Sequence, residues 1–182
     1  MPLKDTADTN AKQMGGNETS ARYKDFIDKL RSNIPDIVLR TTFIVGFPQE
    51  TEEDFENLCE FIKKSRFDRA GFFEYCRETG TPAYKLKGQI PKKIKIQRRK
   101  EVEKIQYNIL QSKNDDRIGM VYSIIIQGIS DDGLFYIGRS YAEAYEIDPV
   151  IYVSSKEPLS VMDMVNAVIV AKDDDSLIAE VV

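Results

Sequence analysis

The stretch Arg40-Thr41-Thr42-Phe43-Ile44-Val45-Gly46-Phe47-Pro48-Gln49-Glu50-Thr51 decides the fold. It begins as a β-branched and aromatic strand and turns sharply at Gly46 and Pro48. It then enters Thr51-Glu52-Glu53-Asp54, a capped helix start with acidic groups where the helix dipole favours them. This order puts backbone amides and a carboxylate at the carboxyl end of a parallel strand, where α/β folds bind small ligands.

Upstream, Thr19 reads as an N-cap. Tyr23, Phe26, Ile27, Leu30 and Ile34 follow at helical spacing, predicting an amphipathic helix over 20–33 that ends at Pro35. Residues 1–18 lack periodicity and read as a loop. Ile37 to Val45 carries apolar residues on both faces, as a covered parallel strand does. Downstream, Phe55, Leu58, Cys59 and Ile62 form one helix face, Arg69 to Cys76 a second strand, and Thr79 to Pro82 a turn. Pro91 opens a long helix over about 92–114, with Ile94, Val102, Ile105 and Ile109 as its apolar face. Lys92, Lys93, Lys95, Arg98, Arg99 and Lys100 make its first half basic, which reads first as a solvated face. A nucleic-acid patch is the sharper alternative, but no aromatics interleave with the charges.

After Asn114 to Gly119 the period changes. Five short segments, Val121 to Gln127, Leu134 to Gly138, Val150 to Ser154, Met164 to Ala171 and Leu177 to Val182, are separated by turns such as Ser130-Asp131-Asp132-Gly133. They predict a small β-barrel. The expected architecture is an α/β layer over 1–116 with parallel strands, followed by an all-β, OB-like barrel over 117–182.

The charge is divided unevenly. Residues 117–182 hold 4 Lys/Arg against 11 Asp/Glu, whereas residues 1–116 hold 22 against 19. The acidic module should repel a phosphate backbone and attract a basic protein. There are 2 cysteines, Cys59 and Cys76, and no histidine. The cysteines read as buried small hydrophobes in a reducing cytoplasm, and Ser-His-Asp and Cys-His catalysis are excluded. No run reaches membrane-span length and the first residues lack the apolar core of a signal peptide, so a cytoplasmic location is expected.

Several of these segments resemble the radical S-adenosylmethionine (SAM) methylthiotransferases. Arg40 to Thr51 looks like their strand-and-turn signature. Phe67-Asp68-Arg69 and Phe73-Glu74-Tyr75-Cys76-Arg77-Glu78-Thr79-Gly80-Thr81-Pro82-Ala83 look like their next strand and loop. Residues 117–182 look like their terminal TRAM domain. Within it, Gly138-Arg139-Ser140-Tyr141-Ala142-Glu143-Ala144-Tyr145-Glu146-Ile147-Asp148 resembles the RimO subtype, which modifies an aspartate of a small-subunit ribosomal protein. The alternatives are a fragment of the tRNA-modifying MiaB subtype and a non-catalytic TRAM module that binds RNA or the ribosomal protein. Gln49 stands where the family's turn has a second glycine, and Pro149 where it tends to have glycine.

The resemblance implies the second half of a radical-SAM βα barrel and its TRAM domain. It assigns Thr42, Ile44, Gly46, Phe47 and Glu50 to a SAM half-site. Tyr75, Arg77 and Glu78 fall on the barrel's functional face, and Arg139, Glu146 and Asp148 in the substrate-contacting loop. The parent chemistry uses SAM and 4Fe-4S clusters held by thiolates. Two cysteines 17 residues apart are too few, so no catalytic residue, metal or cofactor is expected on this chain alone. The expected partner is a basic ribosomal protein, in preference to RNA, and no membrane. Open sheet edges would allow self-association.

Overall fold

A computed structural model describes residues 20–182, so the expected loop over 1–18 and the Thr19 cap lie outside the described residues. The elements run α1 (Ser20–Asn33), β1 (Arg40–Val45), α2 (Glu52–Ser65), β2 (Arg69–Glu74), a 3-10 turn (Pro82–Lys85) and α3 (Lys92–Arg117). Five strands follow: β3 (Val121–Ile129), β4 (Tyr136–Arg139), β5 (Ile151–Ser154), β6 (Met164–Asp173) and β7 (Ser176–Val181). Two compact units divide between Ile109 and Leu110, inside α3. That point precedes the change of period. The last turns of α3 belong with the barrel, where Gln111 donates to the Asp174 carbonyl (2.9 Å) and Lys172 pairs with Asp115 (2.6 Å).

In the first unit β1 and β2 are parallel, with Phe43 opposite Phe72 and Ile44 opposite Phe73. The Phe43 ring stacks on Phe72 at 5.8 Å and meets Phe67 edge-on at 5.9 Å. Ile27 of α1, Phe55, Leu58 and Ile62 of α2, and Val102 and Ile109 of α3 complete this core. The sequence gives Ile37 to Val45 two covered faces, but only Thr41, Phe43 and Val45 are buried. Thr42 and Ile44 share the opposite face with Gly71 and Phe73, and Phe73 is 61% exposed. Phe26 and Ile34 also stay exposed, so only Ile27 of the α1 stripe is buried, with Tyr23 packed beside it.

The capping of α2 follows the sequence. Thr51 accepts from the Asp54 amide, and the Asp54 carboxylate accepts from the Thr51 amide (2.9 Å). The helix ends at Arg66 with left-handed φ 43°.

The second unit is a closed barrel in the order β3-β4-β5-β7-β6, antiparallel except between β5 and β7. Ile124, Ile126, Ile151, Val153, Ala167, Ile169, Leu177 and Ala179 fill it. Register shifts after Ile126 and Ile169 place an extra residue in β3 and in β6, giving long strands the bend that closure requires. Gly138 lets β4 cross β3 closely: a side chain there would strike Ile124 and the Ile125 carbonyl.

Closure pairs every barrel strand on both sides, whereas among the described residues β1 and β2 pair only with each other. Backbone amides of β3–β7 should therefore outlast those of β1 and β2 in native-state hydrogen exchange. Equal protection in the two sets would contradict this account.

Candidate functional site

The turn after β1 is built around one buried carboxylate. Glu50 is 5% exposed. Its Oε2 accepts from the amides of Gly46 (2.8 Å) and Phe47 (3.3 Å), and its Oε1 accepts from Arg98. Arg98, 6% exposed, also donates to Glu52 (2.8 Å) and lies 5.2 Å over the Phe55 ring. Burial disfavours its charge, but the Glu52 and Glu50 carboxylates outweigh this and hold its pKa above the ordinary value.

Three lysine and arginine side chains of α3 tie down the strand ends. Lys95 donates to the Tyr75 carbonyl (2.8 Å) and sits 4.9 Å from that ring's centre. Burial lowers its pKa. Arg98 holds the turn after β1, and Arg99 binds Glu74 at the end of β2 (3.0 Å). The solvated-face reading thus holds for Lys92, Lys93 and Lys100 and fails for these three. The missed signal is spacing. Lys95, Arg98, Val102, Ile105 and Ile109 follow a 3-4-3-4 pattern, so two cations continue the helix's buried face.

Gly46 has φ 74°, and a side chain there would collide with the Lys95 methylenes. The next turn residue, Gln49, takes φ 71° although it is not glycine, and its amide donates to the Gly88 carbonyl (2.9 Å). This is a conformation that glycine adopts more easily.

Of the five residues assigned to a SAM half-site, Thr42 and Ile44 lie on the face of β1 away from the core. Gly46, Phe47 and Glu50 form the turn, where the two amides are engaged by Glu50 itself. The Gly46 and Phe47 amides thus both donate to the Glu50 carboxylate in this structure. Tyr75, Arg77 and Glu78 follow β2, which ends at Glu74, and do not converge. Tyr75 packs on Phe47 at 5.1 Å. Arg77 donates to the Tyr84 carbonyl (3.0 Å) and covers that ring, while the Glu78 carbonyl accepts from Thr81.

The barrel carries a second constellation. The buried Glu143 accepts from the Ser140 amide (2.9 Å) and hydroxyl (2.6 Å) and from Arg117 (2.6 Å), whose guanidinium lies 4.5 Å over Tyr122. Burial works to raise its pKa, but the Arg117 charge and the hydrogen bonds prevail and leave it below its ordinary 4.5. Asp148 accepts from the Ala144 amide (2.7 Å), and Glu146 holds φ 57°. The loop so fixed encloses, with the outer face of β3 and β4, a cavity of about 220 Å³. Arg139, Glu146 and Asp148 all line it, so the structure brings these three predicted residues together. The sequence reading passed over Glu143 as the loop's anchor. Its signal was the Ser-x-x-Glu spacing of Ser140 and Glu143.

Cys59 is buried, and burial pushes its thiol up to about 11. Cys76 is exposed, contrary to the reading of both cysteines as buried. Among the described residues no group of three or more His, Cys, Asp or Glu is arranged to hold a metal ion. None of the described helices is long and apolar enough to cross a membrane.

Comparison with known proteins gives two findings. Residues 118–182 match the TRAM domain. The whole chain is 47% identical over 182 residues to the ribosomal protein uS12 methylthiotransferase RimO of Acetivibrio thermocellus, of which it covers 40%. The proteins of the same name from Thermoanaerobacter sp. and Clostridioides difficile are 43% identical over 180 residues and 42% over 166, with 41% and 37% of their lengths covered. The chain thus spans about two-fifths of the length of the curated relatives it matches.

Three substitutions test these clusters. Arg98→Met takes the guanidinium away from the buried Glu50 carboxylate and should destabilise the first unit by about 3–5 kcal/mol in urea unfolding. Gln49→Gly should stabilise it by about 1 kcal/mol by relieving the left-handed backbone. Glu143 has a depressed folded pKa, so its contribution is complete above pH 4.5 and fades as pH falls through the lower folded value. Glu143→Gln should therefore be less stable than wild type at neutral pH, and the gap should close in acid. A pH-independent gap would contradict the ionic role.

Proposed function

We propose that the chain belongs with the RimO-type methylthiotransferases, whose C-terminal part it matches, and that it supplies the substrate-docking barrel and one wall of a SAM site for β-methylthiolation of an aspartate in ribosomal protein uS12. The observation that carries this reading is the match along the whole of this chain at 47% identity. The acidic barrel supports the docking part. Its 11 Asp/Glu against 4 Lys/Arg in residues 117–182 favour encounter with a basic protein and oppose a phosphate backbone.

In this reading β1, β2 and their helices form part of a radical-SAM barrel. Thr42 and Ile44, on the face of β1 opposite the core and beside Phe73, would contact SAM. Gly46, Phe47 and Glu50 act one step back: they fix where β1 ends, and Arg98 keeps the Glu50 charge neutralised within the turn. SAM supplies, when bound, the methyl group and the adenosyl radical precursor.

The iron–sulfur cluster does not fit the residues present. Cys59 is buried, with a raised pKa that disfavours the thiolate a cluster needs, and Cys76 is a single exposed thiol. No step of the reaction is therefore assigned to these residues, and the chain by itself is inactive.

Reconstitution with iron and sulfide should leave this chain without stoichiometric iron or the visible absorbance of a cluster, and without 5′-deoxyadenosine formation from SAM. Purified uS12 should bind it, more tightly at low salt, while an RNA oligonucleotide should not. Bound cluster would overturn the first expectation, and RNA binding with a steep salt slope the second.

A further inference from the structure

We infer that the cavity on the outer face of β3 and β4 receives a lysine or arginine side chain from the docked basic protein. The inference rests on the docking reading above and names the place of contact. The cavity has the two parts such a side chain requires. Ile137, Pro149 and Val150 offer apolar wall to the methylenes, and Glu146 offers charge to the cation. Three carboxylates, those of Glu143, Glu146 and Asp148, line it against one guanidinium, that of Arg139. Glu143 is already matched by Arg117, and Asp148 fixes the loop through the Ala144 amide. Glu146 remains as the exposed carboxylate on the wall, hydrogen-bonded to the Tyr145 hydroxyl and held in a left-handed conformation that glycine or asparagine would adopt more easily.

The surroundings suit a protein rather than a small ion. Tyr145 and Ile147, on the same loop, are exposed, Ile147 at 78%. On the far side of β3, Met162 and Met164 are exposed as well, and the Met162 amide donates to the Ile126 carbonyl (2.8 Å). Exposed tyrosine and isoleucine side chains beside a charged recess, with exposed methionines elsewhere on the barrel, suit a protein interface. The net charge of the barrel selects a basic partner over an acidic one.

The position of Gly128 gives a direct test. Gly128 lines the cavity, and a Cβ built there meets nothing within 4 Å. Gly128→Leu should therefore fill the recess while the barrel still folds, which its thermal melt checks. Glu146→Gln removes the charge without filling space. Asp131→Asn, on the β3–β4 turn and outside the cavity lining, removes the same charge elsewhere.

Binding of the full chain would be measured by fluorescence anisotropy. The probes are labelled uS12 and a short lysine/arginine-rich peptide, with an acetyl-lysine/citrulline version of that peptide as the uncharged comparison. Glu146→Gln and Gly128→Leu should each weaken both probes about tenfold, Asp131→Asn less than about twofold, and the uncharged peptide should not bind. Equal weakening by all three variants would reduce the effect to net charge and overturn the cavity. So would binding by wild type that no variant changes, and in that case docking itself would stand. Failure of wild type to bind uS12 would overturn the docking reading as well. An RNA oligonucleotide that displaces the peptide and is itself sensitive to Gly128→Leu would overturn both.

Discussion

The buried pair of Glu50 and Arg98 is the constraint on which the first unit depends. A carboxylate taken this far out of water is tolerated only when each oxygen is engaged. Here one oxygen takes the amides of Gly46 and Phe47 and the other takes the guanidinium. The pair therefore joins the end of β1 and the start of α2 to the first half of α3, which lies 48 residues further on at Arg98. Lys95 and Arg99 extend the same attachment to the loop after β2, through the Tyr75 carbonyl and Glu74. The basic half of α3 is thereby a structural clamp, and its cations sit where a nucleic acid could not reach two of them.

The barrel repeats the arrangement with other residues. Glu143 is buried, accepts from the Ser140 amide and is neutralised by Arg117. In both units an arginine of α3 is the counter-ion, and in both the carboxylate follows a sharp bend at the end of a strand. The common physical reason is that such a bend leaves amides without sheet partners. A nearby carboxylate satisfies them, and the charge it brings must then be matched.

Much of this was legible from the sequence, for identifiable reasons. The five barrel strands were found because each is a short segment bounded by turn residues, such as Ser130 to Gly133 between β3 and β4. The start of α2 was found because the Thr51 and Asp54 cap is a local event, complete within four residues. The single covered face of β1 was not legible, because Thr42 and Ile44 resemble core residues in composition and only the three-dimensional neighbours decide. The role of Glu50 was half legible. Its place before Thr51 suggested a helix start, whereas its partner Arg98 lies 48 residues away. Lys95 and Arg98 were read by their charge when their spacing already put them on the buried side with Val102. Arg139, Glu146 and Asp148 could be named together from the motif, but the recess they share depends on β3, which is distant in sequence.

Once a carboxylate has been given to the backbone it is removed from the pool of groups that can act on a ligand, and this separates supporting residues from contacting ones in both units. Glu50 and Glu143 hold turns; they do not face outward. On the proposed reading, the side chains that meet another molecule are those beside them: Thr42 and Ile44 on the face of β1 opposite the core, and Glu146 on the wall of the barrel cavity. The same reasoning applies to the thiols. A sulfur center needs several thiolates at one place, and burial drives Cys59 away from that state while Cys76 stands in the loop beyond β2. On the proposed reading, these residues contribute placement of SAM and of the protein to be modified, and the radical arises on ligands other than these two cysteines.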